Sequence, residues 1–247
     1  MAVESVQGCI HSVSRKQPPA AGPPQSQLTA PYHHTHKAIS MEQLLYWFDL
    51  IGIVVFAFTG VLAAGHKQMD LFGAVVLACV TATGGGTTRD IILNIPVFWL
   101  QDSHYLWIAA ATGVVSFYLI RYLRVPARLL MIADAMGLAV FVVIGTQKVL
   151  ELGHSPAIAI VMGVMTGTFG GLIRDILAGD IPLLLRREIY ATAALAGAAS
   201  LVALDASGRV PGEVVAATAV LVTLSIRLAA LRWNLSAPIA RFGNQQS

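Results

Sequence analysis

Of the chain's 247 residues, 56% are hydrophobic and only 12% charged, and a mean hydropathy of +0.70 leaves too little polar surface for a water-soluble domain of this length. The formal net charge of +3 comes from residues scattered between apolar runs rather than gathered in a basic stripe, which argues against a nucleic-acid partner. The only cysteines are Cys9, in a polar segment, and Cys79, in an apolar run; they support neither a disulfide framework nor a cysteine metal site.

Residues 1–41 carry Pro18, Pro19, Pro23, Pro24 and Pro31 among Ser, Gln and Ala, without a period that builds a core, and are expected to be a disordered tail. His33, His34 and His36 offer at most weak metal binding there. Met41 is a natural alternative start, and no apolar stretch resembles a cleaved signal peptide. From residue 44 the apolar runs are long enough to cross a bilayer, and spans are expected near 44–65, 71–93, 104–121, 130–150, 156–178, 187–205 and 211–230. The predicted fold is an all-α integral membrane protein: a three-helix repeat over 42–126, a second, inverted one over 127–206, and a seventh helix with its tail over 207–247. Alternate connections are rich in Lys and Arg. Lys67, Arg121, Arg124, Arg128, Arg186, Arg187, Arg232 and Arg241 fall on one side, against Lys148 and Arg209 in the ordered loops of the other. This asymmetry predicts an outside N-terminus and a cytoplasmic C-terminus in a bacterial inner membrane.

The repeat emerges when Asp49-Leu-Ile-Gly-Ile-Val-Val-Phe56 is laid on Asp134-Ala-Met-Gly-Leu-Ala-Val-Phe141, an offset of 134 − 49 = 85. The same offset pairs Gly60 with Gly145, Thr81 with Thr166, Thr83 with Thr168, Gly85-Gly86 with Gly170-Gly171, and Arg89-Asp90 with Arg174-Asp175. One extra residue near Asp180 is then expected to bring Ile95-Pro96 onto Ile181-Pro182. Three spans separate the copies, so the second enters the membrane upside down, as in transport proteins built from inverted repeats.

Asp49, Gly52, Phe56 and Gly60 share one helical face, as do Asp134, Gly137, Phe141 and Gly145. The glycines are expected to let helices approach closely. Asp49 and Asp134 are read chiefly as helix caps, with a water-filled path or an interhelical pair as alternatives. Lys148 extends the second stripe where Ala63 holds the equivalent place, so it either snorkels to the interface or serves a gate. Thr81-Ala-Thr-Gly-Gly-Gly-Thr-Thr-Arg-Asp90 and Thr166-Gly-Thr-Phe-Gly-Gly-Leu-Ile-Arg-Asp175 lie within spans. Their clustered glycines favour a kink or local unwinding, and freed carbonyls at membrane depth must face protein, water or a cation. Gly84, Gly85, Gly86, Gly170 and Gly171, with hydroxyls of Thr81, Thr83, Thr87, Thr88, Thr166 and Thr168, are therefore the candidate ion pathway, set against simple tight helix crossing with each Thr bonded to its own backbone. Charges at membrane depth must be paired or hydrated. Each of Arg89 and Arg174 is expected to meet an Asp of another helix, such as Asp49 or Asp134, since sequence neighbours do not face each other. Asp90 and Asp175 join them as charge or gating candidates, either a structural lock or part of conduction.

Gly84-Gly-Gly-Thr-Thr-Arg89 lacks the Gly-Lys-Ser/Thr ending of a phosphate loop, and no catalytic motif or metal-spaced cluster falls in the spans, so neither an enzyme nor a cofactor is expected. The Gly-Gly-Gly-Thr-Thr-Arg-Asp and Gly-Gly-Leu-Ile-Arg-Asp segments, each followed by Ile-Pro, resemble those of prokaryotic trimeric intracellular cation (TRIC) channels, also labelled UPF0126 and catalogued as a glycine transporter domain. The resemblance covers about residues 42–230. It implies a homotrimer with one pore per protomer, lined by the second and fifth spans at Gly84, Gly85, Gly86, Gly170 and Gly171, and permeable mainly to potassium and also to sodium. Phe169 replaces the first glycine of a full second triplet. A lysine on the fourth span gates animal members, and Lys148 is on the corresponding span. A carrier of a small zwitterion such as glycine, and a scaffold or sensor locked by the same motifs, are the competing functions.

Overall fold

A computed structural model describes residues 41–122, 126, 128–186, 189–233 and 235, with helix but not side chains for 41–45. The tail residues Cys9, His33, His34 and His36, together with Arg124, Arg187, Glu188 and Arg241, lie outside the described residues. The helices are α1 (Met41–His66), α2 (Leu71–Ile92), α3 (Phe98–Gln101), α4 (His104–Tyr122), α5 (Arg128–Glu151), α6 (Pro156–Leu177), α7 (Ala191–Asp205) and α8 (Gly212–Trp233), with a 3-10 turn at Leu183–Leu185. Six are long and apolar enough to cross a membrane: α1, α2, α4, α5, α6 and α8. The seventh, α7, has 15 residues and starts at Ala191, later than its expected span of 187–205.

Local rules set the helix ends. The Asp70 carboxylate accepts the Gly73 N–H at 2.8 Å and caps α2, while α6 opens with Pro156, whose missing N–H costs nothing there. Both helices stop in the same hydrogen-bonded motif. Ile95 N–H donates to Asp90 C=O at 3.0 Å and Asn94 N–H to Ile91 C=O; Asp180 N–H donates to Asp175 C=O at 2.8 Å and Gly179 N–H to Ile176 C=O. The turn residue is left-handed in each case, Asn94 at φ 53° and Gly179 at φ 69°, which Gly adopts freely and Asn tolerates.

The two halves meet through reciprocal contacts at equivalent positions, the pattern of an approximate two-fold relation. Phe56 fills the space a Cβ on Gly137 would need, and Phe141 crowds the same position on Gly52, with the two rings 5.1 Å apart. Likewise α2 and α6 cross where a Cβ on Gly85 would lie 2.0 Å from Thr166 C=O and one on Gly170 would lie 2.4 Å from Thr81 C=O. A contact from residue i to j + 85, mirrored by one from i + 85 to j, is what a two-fold relation produces. The offset of 85 persists beyond the crossing, pairing Asn94 with Gly179 and the Phe98 N–H with the Leu183 N–H. The extra residue expected near Asp180 is therefore not needed: backbone geometry keeps register where side-chain identity drifts. The most buried span, α5, packs against α1, α6, α7 and α8, while α2 packs against α1, α6 and α4, the least buried span.

Candidate functional site

The helices run unbroken through both glycine clusters, and the local unwinding expected there does not occur. The missing Cβ atoms instead admit neighbouring groups. Besides the Gly85–Thr166 and Gly170–Thr81 backbone contacts, Ile173 sits against Gly84 and the Phe98 ring against Gly86. Gly171 lies beneath Asp134 Oδ1, Tyr190 and Arg174. The threonine hydroxyls bond back along their own helices: Thr81 to Leu77 C=O at 2.6 Å, Thr83 to Cys79 at 2.8 Å, Thr166 to Met162 at 2.7 Å and Thr168 to Met165 at 3.4 Å. Thr87 and Thr88 do the same toward Thr83 and Gly84. A hydroxyl that donates inward keeps its oxygen lone pairs as acceptors. At Thr87 one of these is taken by Trp99 Nε1–H, at 2.9 Å.

Two buried charge clusters flank this crossing. In the first, Asp90 Oδ1 accepts Arg89 Nε–H at 2.8 Å and stands 3.5 Å from Lys148 Nζ, while Oδ2 accepts the Phe98 N–H at 3.0 Å. Asp49 is within electrostatic reach of Arg89, Lys148 and Tyr105. In the second, Asp175 Oδ1 accepts Arg174 Nε–H at 2.8 Å and Oδ2 accepts the Leu183 N–H at 2.8 Å. Arg174 also donates to Asp134 Oδ1 at 2.8 Å and to Thr59 Oγ1 at 3.0 Å. Arg227 of α8, buried, holds its guanidinium 4.7 Å above the Tyr190 ring. Each motif aspartate thus ties its arginine to the connector eight residues on.

Three expectations change. Arg89 and Arg174 do bind their sequence neighbours, because the long arginine chain folds back over the helix end to the next residue; only Arg174 also bonds an aspartate of another helix, Asp134. Asp49 and Asp134 lie within α1 and α5 rather than at their starts, so neither is an N-cap. Lys148 turns toward Asp90 instead of simply extending to the interface, although its side chain remains 34% exposed.

By formal charge each cluster holds two cations and two carboxylates: Arg89 and Lys148 with Asp49 and Asp90, and Arg174 and Arg227 with Asp134 and Asp175. The second cation differs between them, a half-exposed lysine from α5 against a fully buried arginine from α8. Sequence reasoning missed Thr59, Phe98, Tyr105, Tyr190 and Arg227. The 85-residue offset relates Tyr105 to Tyr190, and a lone arginine in the last apolar run was itself a signal. Among the described residues, no group of three or more His, Cys, Asp or Glu side chains is placed to hold a metal ion.

A family profile described as Glycine transporter matches residues 46–121 and 131–206, two copies at the same 85-residue spacing. The chain is 48% identical over 197 residues to the UPF0126 inner membrane protein YadS of Escherichia coli K12, covering 79% of this chain and 95% of that one. It is 46% identical over 213 residues to a UPF0126 membrane protein of Vibrio cholerae, covering 82% and 87%. Among solved structures, the TRIC trimeric intracellular cation channel orthologue from Rhodobacter sphaeroides superposes with a TM-score of 0.75 at 43% identity, over 78% of this chain and 99% of that one. A prokaryotic TRIC channel in 0.5 M KCl superposes at 0.74 with 30% identity, over 78% and 98%.

Proposed function

The chain belongs to the family described as Glycine transporter, whose curated relatives carry the label UPF0126, and on that premise we propose that it is a passive, potassium-permeable cation channel of the bacterial inner membrane. The observation that carries this reading is the α2–α6 crossing with a charge-balanced cluster on either side, in a chain 43% identical to a protein described as a TRIC cation channel. The path runs along α2 and α6, with lone pairs of Thr81, Thr83, Thr166 and Thr168 and backbone carbonyls near Gly84, Gly85, Gly86, Gly170 and Gly171 partly replacing the ion's water. At Gly85 and Gly170 the two backbones touch, so ions pass at that level only when α2 and α6 separate. Asp90, shared by Arg89, Lys148 and the Phe98 N–H, links that separation to a charge near the membrane surface; Asp49, Asp134, Arg174 and Asp175 complete the balance. The solved relatives are described as trimeric, which supports a homotrimer with one path per protomer. The Lys and Arg asymmetry supports an outside N-terminus and a cytoplasmic C-terminus.

The deciding experiment is single-channel recording of purified protein in planar bilayers under a potassium gradient. Unitary currents reversing near the potassium potential are expected, with sodium also carried. Silence from verified reconstituted protein overturns the channel, and uptake of radiolabelled glycine would then identify a carrier.

A further inference from the structure

Within the second charge cluster, three buried polar atoms have no hydrogen-bond partner among the described residues: Asp134 Oδ2, Arg174 Nη2 and the Tyr190 hydroxyl. Asp134 and Arg174 are 0% exposed and Tyr190 is 1% exposed, so bulk water does not serve them. They come from α5, from α6 and from the residue before α7, yet they gather around one point. Beyond its own stretch of helix backbone, a Cβ on Gly171 would find Asp134 Oδ1 at 3.1 Å, the Tyr190 hydroxyl at 3.4 Å and Arg174 Nη2 at 3.5 Å as its nearest neighbours. The equivalent glycine of the first half, 85 residues earlier, is closed differently: the edge of the Phe98 ring comes within 2.7 Å of a Cβ on Gly86. An aromatic ring plugs one position, and polar groups ring the other. Tyr190 is turned toward Asp134, but its hydroxyl closes no hydrogen bond to either carboxylate oxygen. Buried groups left in this state cost stability unless a further molecule bonds them.

We propose that one internal water molecule sits beside Gly171, accepting hydrogen bonds from Arg174 Nη2 and the Tyr190 hydroxyl and donating one to Asp134 Oδ2. Three bonds are the usual complement of a buried water. A guanidinium, a carboxylate and a hydroxyl together call for a neutral molecule that both donates and accepts. A bare cation meets repulsion from Arg174 there, and an anion meets it from Asp134. The water joins α5, α6 and the start of α7, and the site stands or falls independently of what the chain conducts.

A crystal structure of the full chain grown in rubidium chloride, with anomalous diffraction data, tests this directly. A solvent peak within hydrogen-bond distance of all three atoms is expected, without anomalous signal. No peak, or an anomalous peak marking a bound cation, overturns the proposal. Thermal unfolding supplies a second test. Tyr190→Phe keeps the ring beside Arg227 and removes only the hydroxyl, so in the parent it is expected to lower the unfolding midpoint by about 2–4 °C. In a Gly171→Ala background, where the added methyl displaces the water and strands that hydroxyl, Tyr190→Phe is expected to leave the midpoint unchanged or to raise it. Equal lowering in both backgrounds overturns the water, because overpacking by the methyl alone does not depend on the hydroxyl.

Discussion

The two charge clusters make different demands on single residues. Arg174 is wholly buried and serves Asp134, Asp175 and Thr59 together, so Arg174→Ala strands two carboxylates. Removing one partner of a buried pair costs about 3–5 kcal/mol, and a correspondingly lower unfolding midpoint in denaturant or heat is expected. Lys148 contacts Asp90 at 3.5 Å with its side chain 34% exposed, and solvent screening holds the stability cost of Lys148→Gln below about 1 kcal/mol. The same change removes one of two cations facing Asp90, so its expected effect is on the open fraction and voltage dependence of the currents. A large loss of stability with unaltered gating would reverse the roles given to these two residues.

At the scale of elements, the α2–α6 crossing is set by where the missing Cβ atoms point. A methyl group on Gly85 would meet the Thr166 carbonyl, which cannot yield without moving α6, whereas one on Gly86 would meet the edge of the Phe98 ring on the connector. Gly85→Ala is therefore expected to cost about 1–3 kcal/mol of overpacking and to favour separated helices. Gly86→Ala should cost less, because a side chain at the end of a loop can shift. Comparative thermal unfolding of the two variants checks the ranking; equal costs would mean that Phe98 is held as firmly as the α6 backbone. The offset shows how far an element can be read in advance. Aligned identities located Arg89-Asp90 and Arg174-Asp175 correctly. Beyond them Ile-Pro pulled the alignment one residue out of register, while the hydrogen bonds of Asn94 and Gly179 hold it at 85.

On the scale of the whole molecule, charge distribution carries a prediction about orientation. Lys67, Arg121, Arg128, Arg186 and Arg232 flank ends of successive elements on one side, and Lys67 pairs there with Asp180 at 2.7 Å, joining the two halves. Single cysteines introduced at Lys67 and at Arg209, in a Cys9→Ala/Cys79→Ala background, should react with a membrane-impermeant maleimide from outside intact cells only at position 209. Labelling of position 67 would invert the topology.

The sequence by itself determined the membrane class, six of the seven runs as long helices, the inverted duplication and the paired glycine and Arg-Asp motifs, because these depend on hydropathy and on periodicity along one chain. What only the tertiary structure decided is which groups meet. That each arginine folds back on its own neighbour, that the glycines serve helix contact without unwinding, and that Tyr190, Thr59 and Arg227 join the second cluster follow from how helices distant in sequence cross. Side-chain reach and crossing angle set those contacts, and neither is written in spacing along the chain.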